Sequence, residues 1–241
     1  MRLDESVSIL VNSFAHRSGA LDRIVIFISS NSLVGGALVL AVFYFVWFEE
    51  GPDNRVTLRK RDILLSTLLL AIPAVLMARV LACNLPYRMR PIFSPELHLR
   101  QAYGFDPSSL LSWSSFPSDH AVLFFTLATG VSVANRKAGL LLYLHAVFFV
   151  SLSLIFLGIH YPSDILAGVV LGCGFGYLAN WPSVQSLVRQ PAARLQTFSA
   201  GLFHAGFFYL AYETANLYAE VRQTAVGAWQ VLSVLASHSF R

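Results

Sequence analysis

Residues 63–85 read ILLSTLLLAIPAVLMARVLACNL, an apolar run in which Arg79 is the only charged side chain. The run is longer than the roughly 20 apolar residues that a helix needs to cross a bilayer. Because backbone N–H and C=O groups must be paired inside lipid, a single run of this kind is expected to be helical. The stretch therefore predicts a membrane-spanning helix.

The composition of the whole chain agrees with a membrane protein. Of its 241 residues, 56% are hydrophobic and 12% are charged, whereas soluble domains carry about 25% charged residues. We predict an all-α fold, a polytopic bundle of six transmembrane helices within residues 23–218, with an N-terminal interfacial segment at 1–22 and an amphipathic tail at 219–241. The predicted spans are 24–48, which polar residues at 29–32 should kink, and 63–85, 118–134, 139–157, 163–181 and 198–218.

Basic residues orient the predicted spans. The stretches 51–62, 135–137 and 183–195 carry lysine and arginine, and they fall on one side if six spans alternate. Since such residues favour the cytoplasmic side, the segments 86–117 and 158–163 should face outward. We expect an integral membrane protein, in a bacterial inner membrane, with these two segments on the periplasmic or exterior side.

Three polar clusters lie at the outward ends of the predicted spans. They are Arg88-Met89-Arg90-Pro91, Phe116-Pro117-Ser118-Asp119-His120 and His160-Tyr161-Pro162-Ser163-Asp164. The clusters are far apart in the sequence, but the alternation of helices brings all three to the same depth. We therefore predict one outward-facing active site.

The residue types in these clusters suit a phosphate group. Arg88 and Arg90 offer planar forks of donors that match phosphate oxygens. Ser118 and Asp119 open a predicted helix, where free backbone N–H groups and the helix dipole favour an anion. We predict that these four residues bind phosphate.

His120, His160 and Asp164 predict the chemistry at phosphorus. His160 is expected to attack as the nucleophile and form a phosphohistidine, while Asp164 accepts the other ring N–H and fixes the tautomer. His120 is expected to donate a proton to the leaving oxygen and then to act as a base. No metal and no other cofactor is expected.

The same residues resemble the motifs of the type 2 phosphatidic acid phosphatases, a family of lipid phosphate phosphatases with haloperoxidase relatives. The family's Lys-x6-Arg-Pro, Pro-Ser-Gly-His and Ser-Arg-x5-His-x3-Asp motifs match residues 83–91, 117–120 and 153–164. The resemblance covers about residues 20–182. It implies a six-helix core with a histidine nucleophile at the outer face.

Three positions depart from the family's motifs. Cys83 stands at the lysine position, Leu154 at the second arginine and Asp119 at the glycine. Two phosphate-binding cations are therefore absent, each worth about 1.5–3 kcal/mol as a charge-assisted hydrogen bond. Arg79, one helical turn before Cys83, and Arg100 in the outward segment are candidate substitute cations.

A glycine stripe marks the fifth predicted span. Gly168, Gly172 and Gly176 recur every four residues, a spacing that lets another helix approach closely. We predict that this stripe serves helix packing and not ligand binding.

Several interpretations of the function and of single residues are open. We predict a lipid phosphatase that hydrolyses a phosphate or diphosphate of a polyprenyl or glycerolipid carrier. The alternatives are a phosphotransferase with an alcohol or sugar-lipid acceptor and a non-catalytic lipid-phosphate binding protein. Ser118 and Asp164 would also suit helix caps, and Arg88 and Arg90 would also suit lipid headgroups.

The expected partners follow from the same patterns. They are the lipid phosphate substrate and membrane lipids. No basic run with interleaved aromatic residues indicates nucleic-acid binding.

Overall fold

The computed structural model describes residues 3–31 and 33–218, and all regular structure in these residues is helical. The predicted all-α fold is confirmed for them, while the predicted tail at 219–241 lies outside the described residues. The α-helices of the described chain are α1 (Leu3–Asn12), α2 (Gly19–Ser30), α3 (Leu38–Phe48), α4 (Asn54–Asn84), α5 (Asp119–Ala134), α6 (Arg136–His145), α7 (Leu152–Phe156), α8 (Pro162–Leu178), α9 (Pro182–Phe198) and α10 (Ala200–Ala215).

Polar side chains fix where several of these helices begin. Ser18, Asp53 and Asn135 stand directly before α2, α4 and α6, and each accepts a hydrogen bond from a backbone N–H two or three residues later. Such caps satisfy the backbone donors that the first turn of a helix leaves unpaired. The polar residues of the loops therefore set the helix boundaries.

The first predicted span is broken, as its polar residues suggested. A π-helical segment, Leu33–Ala37, lies between α2 and α3, and the two parts of the span are bent by 59°. The hydroxyls of Ser29 and Ser30 at the break donate to the Ile26 carbonyl oxygen. A bend at the predicted position is confirmed, while its assignment to one kinked span stays a prediction.

The described helices support a polytopic membrane protein. Two helical stretches, Asn54–Asn84 and Arg136–Phe156, are long and apolar enough to cross a membrane by themselves. The number rises to four if α2 with α3, and α8 with α9, each count as one bent span, the second pair being bent by 65°. Helix α5 is apolar but shorter. The number of six spans stays a prediction.

Helix α5 lies at the centre of the bundle and packs against α4, α6 and α8. Residues 121–131 of this helix are all buried. A Cβ added to Gly168 would lie 2.6 Å from the Ala121 Cβ, and one added to Gly172 would lie 2.5 Å from the Val122 carbonyl oxygen. The glycine stripe of α8 therefore allows its close approach to α5, which confirms the predicted packing role.

The basic stretches of the sequence meet at one end of the bundle. Glu49 accepts hydrogen bonds there from Lys60 at 2.7 Å and from Asn135 at 2.9 Å, and Arg189 lies 3.7 Å from Asp62. Because α4 begins at this end and runs the length of the bundle, the segment after α4 lies at the opposite end. All three polar clusters lie there.

Candidate active site

The three polar clusters meet around one cavity of about 520 Å³. It lies between the end of α4, the start of α5, the segment that joins them and the turn before α8. The polar side chains that line it are Ser29, Ser30, Arg79, Cys83, Arg90, Ser109, Ser114, Asp119, His120, His160 and Asn216, and the apolar ones include Phe105, Leu110, Trp113, Leu154, Ile159 and Leu217.

His160 follows a turn that depends on a glycine. Gly158 has a φ of +68°, in the left-handed region that glycine tolerates best, and a Cβ there would lie 3.0 Å from the Ile92 Cβ. His160 is only 3% exposed, and its Nδ1 lies 2.7 Å from the Ser115 carbonyl oxygen. A carbonyl only accepts, so Nδ1 carries the proton and Nε2 carries the lone pair, which accepts a long hydrogen bond from Nη1 of Arg90 at 3.5 Å.

Burial sets the protonation of this histidine. Desolvation lowers the pKa of the His160 ring, with a smaller opposing effect from the Asp164 carboxylate. The neutral ring is therefore favoured at neutral pH. The nearby guanidinium of Arg90, whose Nη1 lies 3.5 Å from Nε2 of His160, also disfavours the charged ring.

Asp164 lies beside His160, but it does not accept the ring N–H of His160 as the sequence suggested. Its Oδ2 is 3.7 Å from Nδ1 of His160, too far for a hydrogen bond, and the Ser115 carbonyl takes that proton. Oδ2 instead accepts the backbone N–H of Tyr161 at 2.8 Å, which caps α8, and Oδ1 accepts from Arg88 at 2.5 Å. Asp164 is thus a buried charge near the ring and an anchor of the turn.

Arg88, predicted to bind phosphate, is not among the residues that line the cavity. Its guanidinium binds Asp164, the Ser163 hydroxyl at 2.8 Å and Oδ2 of Asp4 at 2.6 Å, and it lies 4.3 Å from the centre of the Tyr161 ring. Asp4 also accepts the backbone N–H and the hydroxyl of Ser163 at 2.9 and 2.7 Å. Sequence reasoning missed Asp4, because no pattern links a residue of α1 to the start of α8.

Arg90 lines the cavity as a buried cation that is 7% exposed. Its Nη1 donates to the Ile159 carbonyl at 3.0 Å and its Nη2 to the Ser114 carbonyl at 3.4 Å. Its Nε is buried and has no hydrogen-bond partner within the described residues. Burial lowers the pKa of the Arg90 guanidinium, opposed by nearby carboxylates, and arginine still stays protonated. This side chain is suited to an anionic oxygen.

The second motif, residues 117–120, lies at the start of α5. Ser118, also predicted to bind phosphate, is fully buried and caps α5, which agrees with the alternative interpretation. Asp119 lies 3.0 Å from Nδ1 of His120 and accepts from Nη2 of Arg79 at 2.6 Å. Arg79 therefore lines the cavity with its charge matched by Asp119. The predicted substitute cation and the predicted phosphate ligand are bound to each other.

The family's two missing cations correspond to positions on this cavity, because Cys83 and Leu154 both line it. Arg100 does not. It is exposed, and its backbone N–H donates to Oδ1 of Asn12 at 2.7 Å. Within the described part of the chain, Arg79 and Arg90 are the basic side chains of the cavity wall, and no group of three His, Cys, Asp or Glu residues is arranged for a metal ion.

Comparison with known proteins identifies the family. The model of the PAP2 superfamily matches residues 65–185, which is half of the chain. The chain belongs to the PAP2 superfamily. This confirms the resemblance to the type 2 phosphatidic acid phosphatases, and the matched range contains all three motifs of this PAP2 protein.

Two curated relatives and one solved structure are similar to the PAP2 protein. The undecaprenyl-diphosphatase BcrC of Bacillus subtilis (strain 168) is 25% identical over 168 residues, 70% of this chain and 78% of the relative. The bacitracin transport permease protein BcrC of Bacillus licheniformis is 40% identical over 68 residues, which is 28% of this chain and 33% of that relative's length. The crystal structure of Aquifex aeolicus LpxE shares the fold, with a TM-score of 0.50 and 22% identity over 74% of this chain and 95% of that chain. With its apolar helices, the PAP2 protein is an integral membrane protein.

Proposed function

We propose that this chain is a lipid phosphatase that hydrolyses a phosphate or diphosphate of a polyprenyl or glycerolipid carrier through a phosphohistidine on His160. One observation carries the proposal. His160, with the lone pair of its neutral ring on Nε2, shares a cavity with His120 and with the buried cation Arg90, whose Nη1 lies 3.5 Å from that nitrogen. A nucleophile, a proton donor and an anion-binding group are the parts that phosphoryl transfer needs.

In the first step, Nε2 of His160 attacks phosphorus. The N–P bond forms while the bond from phosphorus to the leaving oxygen breaks, and His120 gives a proton to that oxygen. The Nδ1–H of His160 stays on the Ser115 carbonyl, and the buried charge of Asp164 stabilises the positive charge that develops on the ring. Arg90 binds the phosphoryl oxygens.

In the second step, water cleaves the phosphohistidine. His120, now neutral, takes a proton from the water molecule as its oxygen attacks phosphorus, and the N–P bond breaks. Inorganic phosphate leaves, and His160 returns to its neutral form. Both histidines are then ready for another turnover.

The lining of the cavity supports an amphipathic substrate. The same cavity is lined by charged side chains, Arg79, Arg90 and Asp119, and by apolar ones that include Trp113 and Leu217. Similarity to the undecaprenyl-diphosphatase BcrC over most of that protein favours a polyprenyl diphosphate. The basic stretches at the other end of the bundle favour a cavity that faces the periplasm or the exterior.

Transfer of the phosphoryl group to an alcohol is a second candidate function. It is favoured by a second cavity of about 310 Å³, which shares His120, Leu154 and Asn216 with the first and is also lined by His145 and Ser153. An alcohol in this cavity would lie beside the proposed base. Turnover in the presence of glycerol would separate the two functions, since a transferase would form glycerol phosphate in excess of inorganic phosphate.

The proposal is tested with purified protein and radiolabelled lipid phosphates. Wild-type protein should release phosphate and carry an acid-labile label, while His160→Ala should lose both. His204→Ala, at an exposed histidine of α10 away from the cavity, is the matched control and should behave as wild type. Absence of release from a panel of polyprenyl and glycerolipid phosphates would refute the phosphatase. Binding without turnover that survives His160→Ala would favour the non-catalytic binder.

A further inference from the structure

Asp119 connects two side chains of the cavity wall. Its Oδ1 lies 3.0 Å from Nδ1 of His120 and accepts the backbone N–H of the same residue at 2.9 Å. Its Oδ2 accepts from Nη2 of Arg79 at 2.6 Å. The three side chains thus form a connected row from the last turns of α4 to the first turn of α5.

The carboxylate decides which nitrogen of His120 is available for proton transfer. An ionised carboxylate only accepts hydrogen bonds, so Nδ1 of His120 must be a donor. Nε2 is then the nitrogen that exchanges a proton with a molecule in the cavity. Glycine, which the family's motif has at position 119, has no side chain that could hold the ring in this way.

We propose that Asp119 is a positioning residue for His120 and that Arg79 is the counter-charge that holds Asp119 in place. The inference rests on the proposed function, in which His120 protonates the leaving oxygen. When the Nε2–H of His120 gives its proton to that oxygen and the P–O bond breaks, the Nδ1–H stays bound to Asp119. The neutral ring then has its lone pair on Nε2, which is the form that takes a proton from water in the next step.

Arg79 also neutralises the negative charge that Asp119 places on the cavity wall. A bare carboxylate beside the phosphate would repel it, and the 2.6 Å contact with Arg79 offsets that repulsion. Arg79→Gln should therefore raise KM several-fold, because Asp119 becomes an uncompensated negative charge. Adding Asp119→Asn to this variant should bring KM back toward the wild-type value, as expected for two residues that interact directly.

The main test compares leaving groups in single-turnover experiments on Asp119→Asn. Dodecyl phosphate must lose an alkoxide, which needs a proton from His120, whereas p-nitrophenyl phosphate loses an anion that is stable without one. We expect the first-turnover rate with dodecyl phosphate to fall about 100-fold, within the usual contribution of general acid catalysis. With p-nitrophenyl phosphate the fall should be less than about 3-fold, and KM should not rise for either ester, because Asp119→Asn removes a negative charge beside the phosphate.

Asp106→Asn is the matched control, because Asp106 is an exposed aspartate that binds Ser108 on the same side of the protein. It should leave both rates unchanged. Equal losses with both esters would give Asp119 a structural part only, and unchanged rates with both would remove it from the reaction, so either result overturns the inference. A wild-type protein that forms no phosphoenzyme from either ester refutes the proposed function itself, a result distinct from those two.

Discussion

Nη1 of Arg88 lies 2.5 Å from Oδ1 of Asp164, and the carboxylate that it binds is fully buried. Asp4 of α1 binds the other terminal nitrogen of the same guanidinium at 2.6 Å. The first arginine of the cluster therefore holds the buried aspartate and the N-terminal helix, while Arg90 lines the cavity. Removal of one partner of such a pair leaves the other charge uncompensated, so the role of Arg88 can be tested.

Arg88→Met should destabilise the protein by about 3 kcal/mol, the lower end of the range for buried pairs, because the Arg88 side chain is 33% exposed. This corresponds to a fall in Tm of about 6–12 °C for a chain of this size. kcat should fall with it, since Asp164 anchors the turn that carries His160. Arg100→Met, at an exposed arginine of the same segment, is the control. An unchanged Tm with a raised KM would instead make Arg88 a phosphate ligand, as the sequence had suggested.

Local patterns made the position of the candidate site predictable. The apolar runs predicted the helices. The alternating direction of successive spans predicted that His120, His160 and Arg90 lie at one end of the bundle, and in the structure they line one cavity. The broken first span was predictable for the same reason, because its polar residues stand next to each other in the sequence. Motif spacing and helical periodicity are both properties of short stretches.

Partners that are distant in the sequence were not predictable. Asp4 lies 84 residues from Arg88, and no periodicity connects them. The Ser115 carbonyl that holds the His160 ring is a backbone group, and a backbone group has no signature in the sequence. The capping role of Ser118 could be stated only as an alternative, because a serine at a helix start suits a cap and an anion equally well.

The acid side of the pH profile should report His160. Burial lowers the pKa of this ring, so the proposed nucleophile stays neutral below about pH 6.5, the ordinary pKa of histidine. Protonation removes the lone pair, and kcat/KM should therefore fall only when the pH drops through this lowered pKa. Because Asp164 acts to raise the pKa of His160, Asp164→Asn should move the acid limb to still lower pH. kcat/KM measured in buffers in which the protein stays folded provides the check, and an acid limb above about pH 6.5 would contradict it.

Cys83 allows a chemical test of the cavity. It is exposed, and it lines the cavity at the position of the family's lysine. A bulky maleimide should therefore block phosphate release, a lipid phosphate substrate should protect against it, and Cys83→Ser should be active and insensitive. Cys173, half-buried on α8, is an internal control, since it remains in that variant. Inactivation of Cys83→Ser to the same extent as wild type would place the sensitive group outside the cavity and contradict this prediction.

Asn12 should be needed to hold α1 against the rest of the protein. Its Nδ2 donates to the carbonyls of Arg100 at 3.0 Å and Phe156 at 2.8 Å, its Oδ1 accepts at 2.7 Å from the Arg100 N–H, and the residue is 2% exposed. Asn12→Leu leaves these groups without partners, and one unmet buried group costs about 1–3 kcal/mol. We expect a clear fall in Tm and in activity, because α1 carries Asp4. Ser13→Ala, which removes only a bond to the Leu10 carbonyl nearby, should change little. If Asn12→Leu left both Tm and activity unchanged, the N-terminal interfacial segment that the sequence suggested would be favoured.

The close approach of α8 to α5 predicts that alanine has opposite effects on stability at two glycines of α8. A Cβ at Gly172 would lie 2.5 Å from the Val122 carbonyl oxygen and 3.0 Å from the Phe125 Cβ, whereas a Cβ at Gly174 would meet no atom of residues 3–31 and 33–218 within 4 Å. At both positions, replacement of glycine by alanine favours the helix by the same intrinsic amount, about 0.8–1 kcal/mol. Gly174→Ala should therefore keep or raise Tm, while Gly172→Ala should lower it and reduce activity, because α5 carries His120 and α8 carries Asp164. Thermal unfolding of the two variants in the same detergent measures the difference. If both variants gained stability alike, the two helices would not be in the close contact on which the position of His120 depends.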